Sequence, residues 1–441
     1  MAVLSEKRAR ELSKTILGFA EVPEVEVRIR QFDHGFLRFA RNEATTAGDT
    51  TETEVAVTAW KGKRRATVSG GFDLAENLDK AGLQKLVADA EELAAISPED
   101  REYMPLPGPQ EYPEVDAFDE ATAAAGPLER ARKIKDAIAY AREKKVSAAG
   151  FLDQRAGVSV IANSAELFGY FPSTNISYSV TARTPDGTGS GYHASSSNRL
   201  AGMDLREATT LATNKAVASR NPAELAPGDY PAILEPQAVA DLLDTISWDM
   251  RSAEEGRSVF AAPEGKTRLG ERMFSESVQL RVDPAHPYAP APPLGPGGLP
   301  ARKADFIRDG KLVQLSSSRY WADKTKRVPG PFAVNLILGG SDRSLADLVR
   351  ATQRGVLVTR FWYIRTVDSQ QALMTGLTRD GTFWVEDGEI RHPVKNFRFN
   401  ESMVRVLGLA EGLAQQRRIE NLLVPALKTS SFRFTSLSDA V

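Results

Sequence analysis

GDYPAILEPQAVADLLDTISWDM, residues 228–250, sets a strand-like run, Pro231–Leu234, directly against a helical pattern. Val239, Leu242, Leu243, Ile246 and Met250 recur at i, i+3, i+4, i+7 and i+11, which predicts an amphipathic helix from Pro236 onward. Proline suits the first helical turn, because its missing N–H would have no intrahelical partner there. On an ideal wheel Gln237, Asp241 and Trp248 lie opposite the apolar stripe, a candidate polar face. A strand running into a helix is a common place to build a site.

Outward from that stretch, the chain has 441 residues, enough for two or three domains. It is 42% hydrophobic and 26% charged, with a formal net charge of −2 and the charges interspersed. A dedicated nucleic-acid surface would need clustered Lys and Arg, so no nucleic-acid partner is expected. The chain has no cysteine, which excludes disulfides, thiolate metal sites and cysteine nucleophiles. MAVLSEKRARELSKTILGF at the N-terminus reads as an amphipathic helix rather than a signal peptide. No run of 18 apolar residues occurs, so no membrane span is expected, and a cytoplasmic location is the default.

Residues 24–42 and 52–72 alternate apolar and polar side chains, as half-buried antiparallel strands do. Leu83–Ile96 and Leu128–Arg142 have helical spacing, with a Pro-rich acidic crossover at 103–126 between them. Strands return over 147–184 and end at the Pro-Asp-Gly turn 185–187. Asp204 and Glu207 read as a capping pair for a helix through Ala218. The Pro-rich stretch 219–231 is the boundary candidate, giving domains 1–222 and 223–441. Beyond it the chain is β-rich, with turns expected at Asp309-Gly310, Asp380-Gly381 and Asp387-Gly388. Helices are expected over 343–354 and after Asn400, the latter with Met403, Leu407, Ala410 and Leu413 as its stripe. The fold class is therefore α+β: an N-terminal α/β domain with a mostly antiparallel sheet and flanking helices, then a β-rich domain.

No short motif is decisive. His34, His193, His286 and His392 are scattered, and no HExxH is present. Gly187-Thr-Gly-Ser190-Gly191 lacks the G-x-S-x-G order of a nucleophile elbow and reads as a flexible turn. Gly339-Gly340-Ser341-Asp342 before a helix suits an N-cap by Ser341 or Asp342 as well as an anion site. The pairs Glu254-Glu255 and Glu386-Asp387 read as solvated or turn positions.

Longer patterns do carry a resemblance. LRFARNEATTAGDTTETEVAVTAWKGKRRATVSGGFD, GDYPAILEPQAVADLL, ADFIRDGKLVQLSSSRYWADK and LMTGLTRDGTFWVEDGEIRHPVKNFRFNESMVRVL stand in one order along the chain. In that order and spacing the chain resembles the TldD/PmbA family, the "modulator of DNA gyrase" metallopeptidases, and more closely its TldE (PmbA) branch. The resemblance spans nearly the whole length. It implies a barrel-like C-terminal domain and a dimer around an inner chamber. In the TldD branch the helix after the PAIL strand carries H-E-x-x-x-H, and a cysteine near the C-terminus completes a zinc site. On that motif this chain has Pro236, Gln237, Ala238, Val239, Ala240 and Asp241, and it has no cysteine. The acidic F-D-x-E-G pattern that the family carries near 284–302 is also replaced, by PLGPGGLPARK.

A hydrolytic zinc needs about three protein ligands and a general base. Proline offers no ligand, glutamine is no base, and Asp241 alone cannot hold the ion. The resemblance therefore implies a non-catalytic TldE-like subunit with no metal and no catalytic residue of its own. Zinc would reside in a TldD-type partner chain, and unfolded peptide would be the substrate. Gln237, Asp241, Trp248, Arg379 and Asp380 are the expected chamber-lining residues. Two alternatives stay open: a self-sufficient hydrolase with a relocated site at His193 or His286, and a homodimeric peptide-binding protein without proteolysis.

Overall fold

A computed structural model describes residues 3–73 and 79–438 of the chain. Two large sheets organise it. The first has six antiparallel strands in the order β3-β2-β1-β4-β5-β6. They are β1 (Glu24–Ala40), β2 (Glu43–Lys61), β3 (Arg64–Gly71), β4 (Ser147–Asn163), β5 (Phe168–Arg183) and β6 (Ser190–Ser197). Alternation dictates their faces: Val25, Val27, Ile29, Leu37 and Phe39 are buried, while Glu26, Arg28, Arg30 and His34 lie on the opposite side. Against the apolar face pack α1 (Glu6–Leu17) and α2 (Lys80–Ile96) at one end. Beyond α3 (Glu120–Ala124), α4 (Pro127–Glu143) and α5 (Leu205–Ala218) cover the other end. Asp204 caps α5 by accepting from Glu207 N at 2.8 Å, as the sequence predicts.

The run expected over 52–72 is two strands, and the first begins earlier, at Glu43. Arg41 and Asn42, both left-handed at φ 54° and 62°, make the tight turn from β1 into β2. The Asn42 amide bonds Val146 O and Ala148 N, each at 2.8 Å, and so ties this hairpin to β4.

The second sheet opens with β7 (Gly228–Leu234). Five of its strands close into a barrel: β7, Arg354–Asp368, Leu373–Glu386, Asn396–Ser402 and Leu422–Ser438, which pairs back onto β7. Phe361, Phe397, Phe399, Phe432 and Phe434 pack together, with neighbouring ring centroids as close as 4.6 Å. The chain is thus α+β with a barrel in its C-terminal region. Among the described residues no helix is long and apolar enough to cross a membrane.

Four local expectations are corrected. The helix after β7 is α6 (Pro236–Leu243) and stops well short of Met250. Thr245 Oγ donates to Leu242 O at 2.7 Å, and the chain then pairs with Ser316, whose N–H donates to Trp248 O at 2.7 Å. Asp380-Gly381 is not a hairpin turn: it is a kink inside Leu373–Glu386, with Asp380 at φ 58° and 1% exposed. The helix before Gly355 is only Leu345–Arg350, capped by Ser344 in a box with Asp347 rather than by Ser341 or Asp342. Met403–Gly408 is a single short helix, and Ala410 and Leu413 lie on the strand Ala410–Ile419. Pairing of that strand with Leu422–Ser438 overrides its helical periodicity. Asp309-Gly310 and Asp387-Gly388 do turn between paired strands.

Candidate functional site

The turn from β7 into α6 begins the site. Glu235 takes the N-cap position of α6, but its side chain does not cap the helix. It accepts from Lys215 Nζ at 2.6 Å and from Thr359 Oγ at 3.3 Å instead. Lys215 comes from α5, on the first sheet. It reaches this point because α5 lies unusually close to β6: a Cβ on Gly191 would sit 2.1 Å from Ala212 O, and one on Gly189 2.2 Å from Ala216 O. Gly189 and Gly191 therefore serve helix packing, while Gly187, at φ 71°, makes the turn. The kink at Gly381 completes the fit, since a Cβ there would meet the Lys215 stem at 2.9 Å.

Two further cations flank α6. Arg360 lies over the Tyr192 ring at 3.8 Å and donates from Nε to Asp380 Oδ2 at 2.6 Å. The Ser190 hydroxyl donates to the other Asp380 oxygen, and Arg379 stands 3.9 Å away. Arg417, on Ala410–Ile419, places Nη1 3.2 Å from His193 Nδ1. Burial, then Arg417 and Lys215, hold the His193 imidazole well below its usual pKa. Burial likewise pushes Lys215 and Arg417 down, opposed by Glu235 in both cases.

Gln237 and Asp241 meet on one face of α6, as the wheel predicts. Gln237 Nε2 donates to Asp241 Oδ1 and Phe361 N donates to Asp241 Oδ2, both at 2.8 Å. Burial raises the Asp241 carboxyl to about 6, against the hydrogen bonds of Gln237 and Phe361 and the charge of Arg360. Gln237 Oε1 is buried with no donor among the described residues.

Trp248 does not join them. With α6 ending at Leu243, Trp248 is 5% exposed in the core, its ring 5.1 Å from Phe260 and 5.3 Å from Phe306. Arg379 is partly exposed beside Trp362, at 5.3 Å from its ring, whereas Asp380 is fully enclosed and acts by holding Arg360. Of the other histidines, His34 pairs with Asp153 on the first sheet, His286 accepts from Tyr288 N at 3.3 Å, and His392 is exposed. His193 faces two cations rather than an orienting carboxylate.

Sequence reasoning missed Lys215, Glu235, Arg360 and Arg417. The only local signal is Lys215 beside the buried stripe Ala208, Ala212 and Ala216 of α5, an unusual place for a cation. Arg360 and Arg417 reach Tyr192 and His193 of β6 only through tertiary packing of the two sheets.

These residues do not fit a zinc ion. Asp241 is the lone anionic donor on the face of α6, and both its oxygens are already engaged. Arg360, held by Asp380, adds positive charge beside it. Among the described residues no three His, Asp or Glu side chains converge as metal ligands would.

Comparison with known proteins agrees with this architecture. The model of the PmbA/TldA metallopeptidase C-terminal domain matches residues 227–436, and that of the PmbA/TldA central domain matches 116–220. TldE from Thermococcus kodakarensis superposes with a TM-score of 0.82 at 19% identity, over 97% of this chain and 100% of that one. Proteins described as DNA gyrase modulators from Thermotoga maritima (0.80, 18%) and Bacteroides thetaiotaomicron (0.82, 17%) each match over 98% of this chain and 99% of their own. No curated protein sequence matches the chain at a significant level.

Proposed function

The chain belongs to the TldD/PmbA metallopeptidase family, and on that premise we propose that it is the non-catalytic, TldE-like subunit of a two-chain zinc protease acting on unfolded peptides. One observation carries the reading: the helix that would bear the zinc ligands carries Gln237 and Asp241, and Lys215, Arg360 and Arg417 surround it. Glu235 and Asp380 are already engaged by Lys215 and Arg360, which leaves Asp241 alone to hold a dication in a site that also contains Arg417. Zinc and the general base then come from a TldD-type partner.

In this account the chain contributes half of the chamber wall. Gln237, Asp241 and Arg379 face the chamber, Asp380 positions Arg360, and the domain boundary stays at 222/223. Peptide held as an added strand would be bound through its main chain, which makes binding tolerant of sequence. The TldE likeness supports a heterodimer, and the same reading places the complex in the cytoplasm.

The test is hydrolysis of an unfolded protein by this chain alone and with a relative from the same host that carries H-E-x-x-x-H. The chain alone is expected to match the buffer rate, and the pair to hydrolyse in a chelator-sensitive way. Chelator-sensitive hydrolysis by the isolated chain would overturn the reading.

A further inference from the structure

Between the polar face of β1–β3 and the C-terminal half of the chain lies a cleft of about 720 Å³. Arg28 and Trp60 line it from the sheet, and Ser317, Arg319 and Phe332 from the other side. Small-molecule sites concentrate in crevices of this size between packed parts of a chain. No residue of α6 lines it.

Most of the charge in the cleft is already balanced. Glu26 accepts from Arg28 Nε at 2.7 Å, Arg65 Nε stands 3.2 Å from Asp100 Oδ2, and Glu102 pairs with Arg251. Asp249 accepts from Ser252 N at 2.7 Å, and Arg30 faces Glu54 across β1 and β2. Arg319 is the exception. It is partly buried, its Nη2 donates to Pro105 O at 2.7 Å, and its Nε and Nη1 have no partner among the described residues. Burial lowers its pKa, and no neighbouring carboxylate opposes that.

Ser317 is 2% exposed, yet its hydroxyl also has no partner among the described residues. A buried polar group left bare is uncommon and calls for a partner. Ser318 between the two is extended, at φ −65° and ψ 162°, so Ser317 and Arg319 point to one side. The strap that carries them is held on both flanks. Ser316 N donates to Trp248 O at 2.7 Å, and Ser317 and Gly330 exchange main-chain bonds at 3.1 and 2.8 Å. Apolar groups stand beside the two donors: Met104 and Leu106 flank Pro105, and Phe332 is two residues beyond Gly330. All three line the cleft.

We propose that this cleft binds an organic acid that carries one carboxylate on an apolar body. The carboxylate accepts from the free N–H groups of Arg319 and from the Ser317 hydroxyl, and the apolar body lies against Met104, Leu106 and Phe332. One guanidinium fork and one hydroxyl suit a monoanion. A phosphate monoester would bring a second negative charge into a cleft already lined by five carboxylates. A free acid and a polypeptide C-terminus both offer the chemistry required, and the test separates them.

Isothermal titration calorimetry of the full-length chain uses two acids, 3-phenylpropionate and N-acetyl-Ala-Ala-Phe, each against its carboxamide. At least one acid is expected to bind, about 10-fold or more tightly than its amide. Arg319→Gln should weaken that acid by about 10-fold or more and Ser317→Ala by about 3-fold or more, with the amide unaffected. Binding of the tripeptide acid alone assigns the site to a chain terminus, and binding of 3-phenylpropionate alone to a free acid. Ser317→Ala removes only a hydroxyl, so it decides the matter if Arg319→Gln does not fold. Equal affinity for acid and amide, no binding of either acid at millimolar concentration, or parental affinity in the folded variants would each overturn the proposal.

Discussion

Lys215 Nζ stands 2.6 Å from Glu235 Oε1, joining a helix of the first sheet to the residue that starts α6 on the second. Their side chains are 13% and 6% exposed, so neither charge is solvated well by water. Breaking such a pair leaves one buried charge uncompensated. Lys215→Met is expected to destabilise the chain by about 3–5 kcal/mol, and adding Glu235→Gln to recover most of that loss. Urea denaturation of the two variants checks it; a single variant within about 0.5 kcal/mol of the parent would show that the pair is not structurally engaged.

The same cations should defeat a grafted metal site. Combining Pro236→His, Gln237→Glu and Asp241→His writes the zinc motif back onto α6. Zinc binding, followed by competition with a chromophoric chelator, is expected to remain at the background of the parent chain. Removing Lys215 in addition should raise it. Tight stoichiometric zinc in the graft alone would mean that the surrounding charge is not the obstacle.

Asp241 gives a pH signature. Its folded pKa, about 6, lies above the ordinary 3.8. Such an acid holds its proton more tightly when folded, so its contribution is fully present below pH 3.8 and is lost as pH rises through about 6. The loss is on the order of 3 kcal/mol. Asp241→Asn should flatten the stability profile between pH 4 and 6 and stabilise the chain at pH 7. A variant profile that keeps the parent's slope would place the titration elsewhere.

Trp248 belongs to the core, and its substitution should read as a packing change. Trp248→Ala is expected to cost about 3–5 kcal/mol, and Trp248→Phe about 1–2 kcal/mol, since the indole N–H has no partner among the described residues to lose. If Trp248→Ala left thermal stability unchanged and altered only assembly with a partner, the residue would be a surface after all.

The fate of Trp248 shows what the sequence could convey. Leu243, Ile246 and Met250 are all buried, as their spacing predicts, yet the helix ends at Leu243. Burial survived the break in secondary structure because the chain stays against the same core while its main chain turns to pair with Ser316. Local signals of strand, cap and turn were readable at Asp204, Asp309-Gly310 and Asp387-Gly388. Asp380-Gly381 carries the same dipeptide but kinks a strand that pairs with its neighbour on both sides of the kink, with no room for a side chain at Gly381 beside the Lys215 stem. Gln237 and Asp241 could be paired from helical spacing alone. Lys215, Arg360 and Arg417 could not, since they come from three elements that meet only when the barrel closes and α5 docks onto β6.

The central claim is that this chain carries no zinc and works beside one that does. Native mass spectrometry of the protein, purified without chelators from its own host, measures subunits and metal together. The account predicts equal numbers of this chain and a second, different chain, with one zinc per pair that remains with the second chain on dissociation. A homo-oligomer of this chain alone holding one zinc per 48.0 kDa subunit would contradict it.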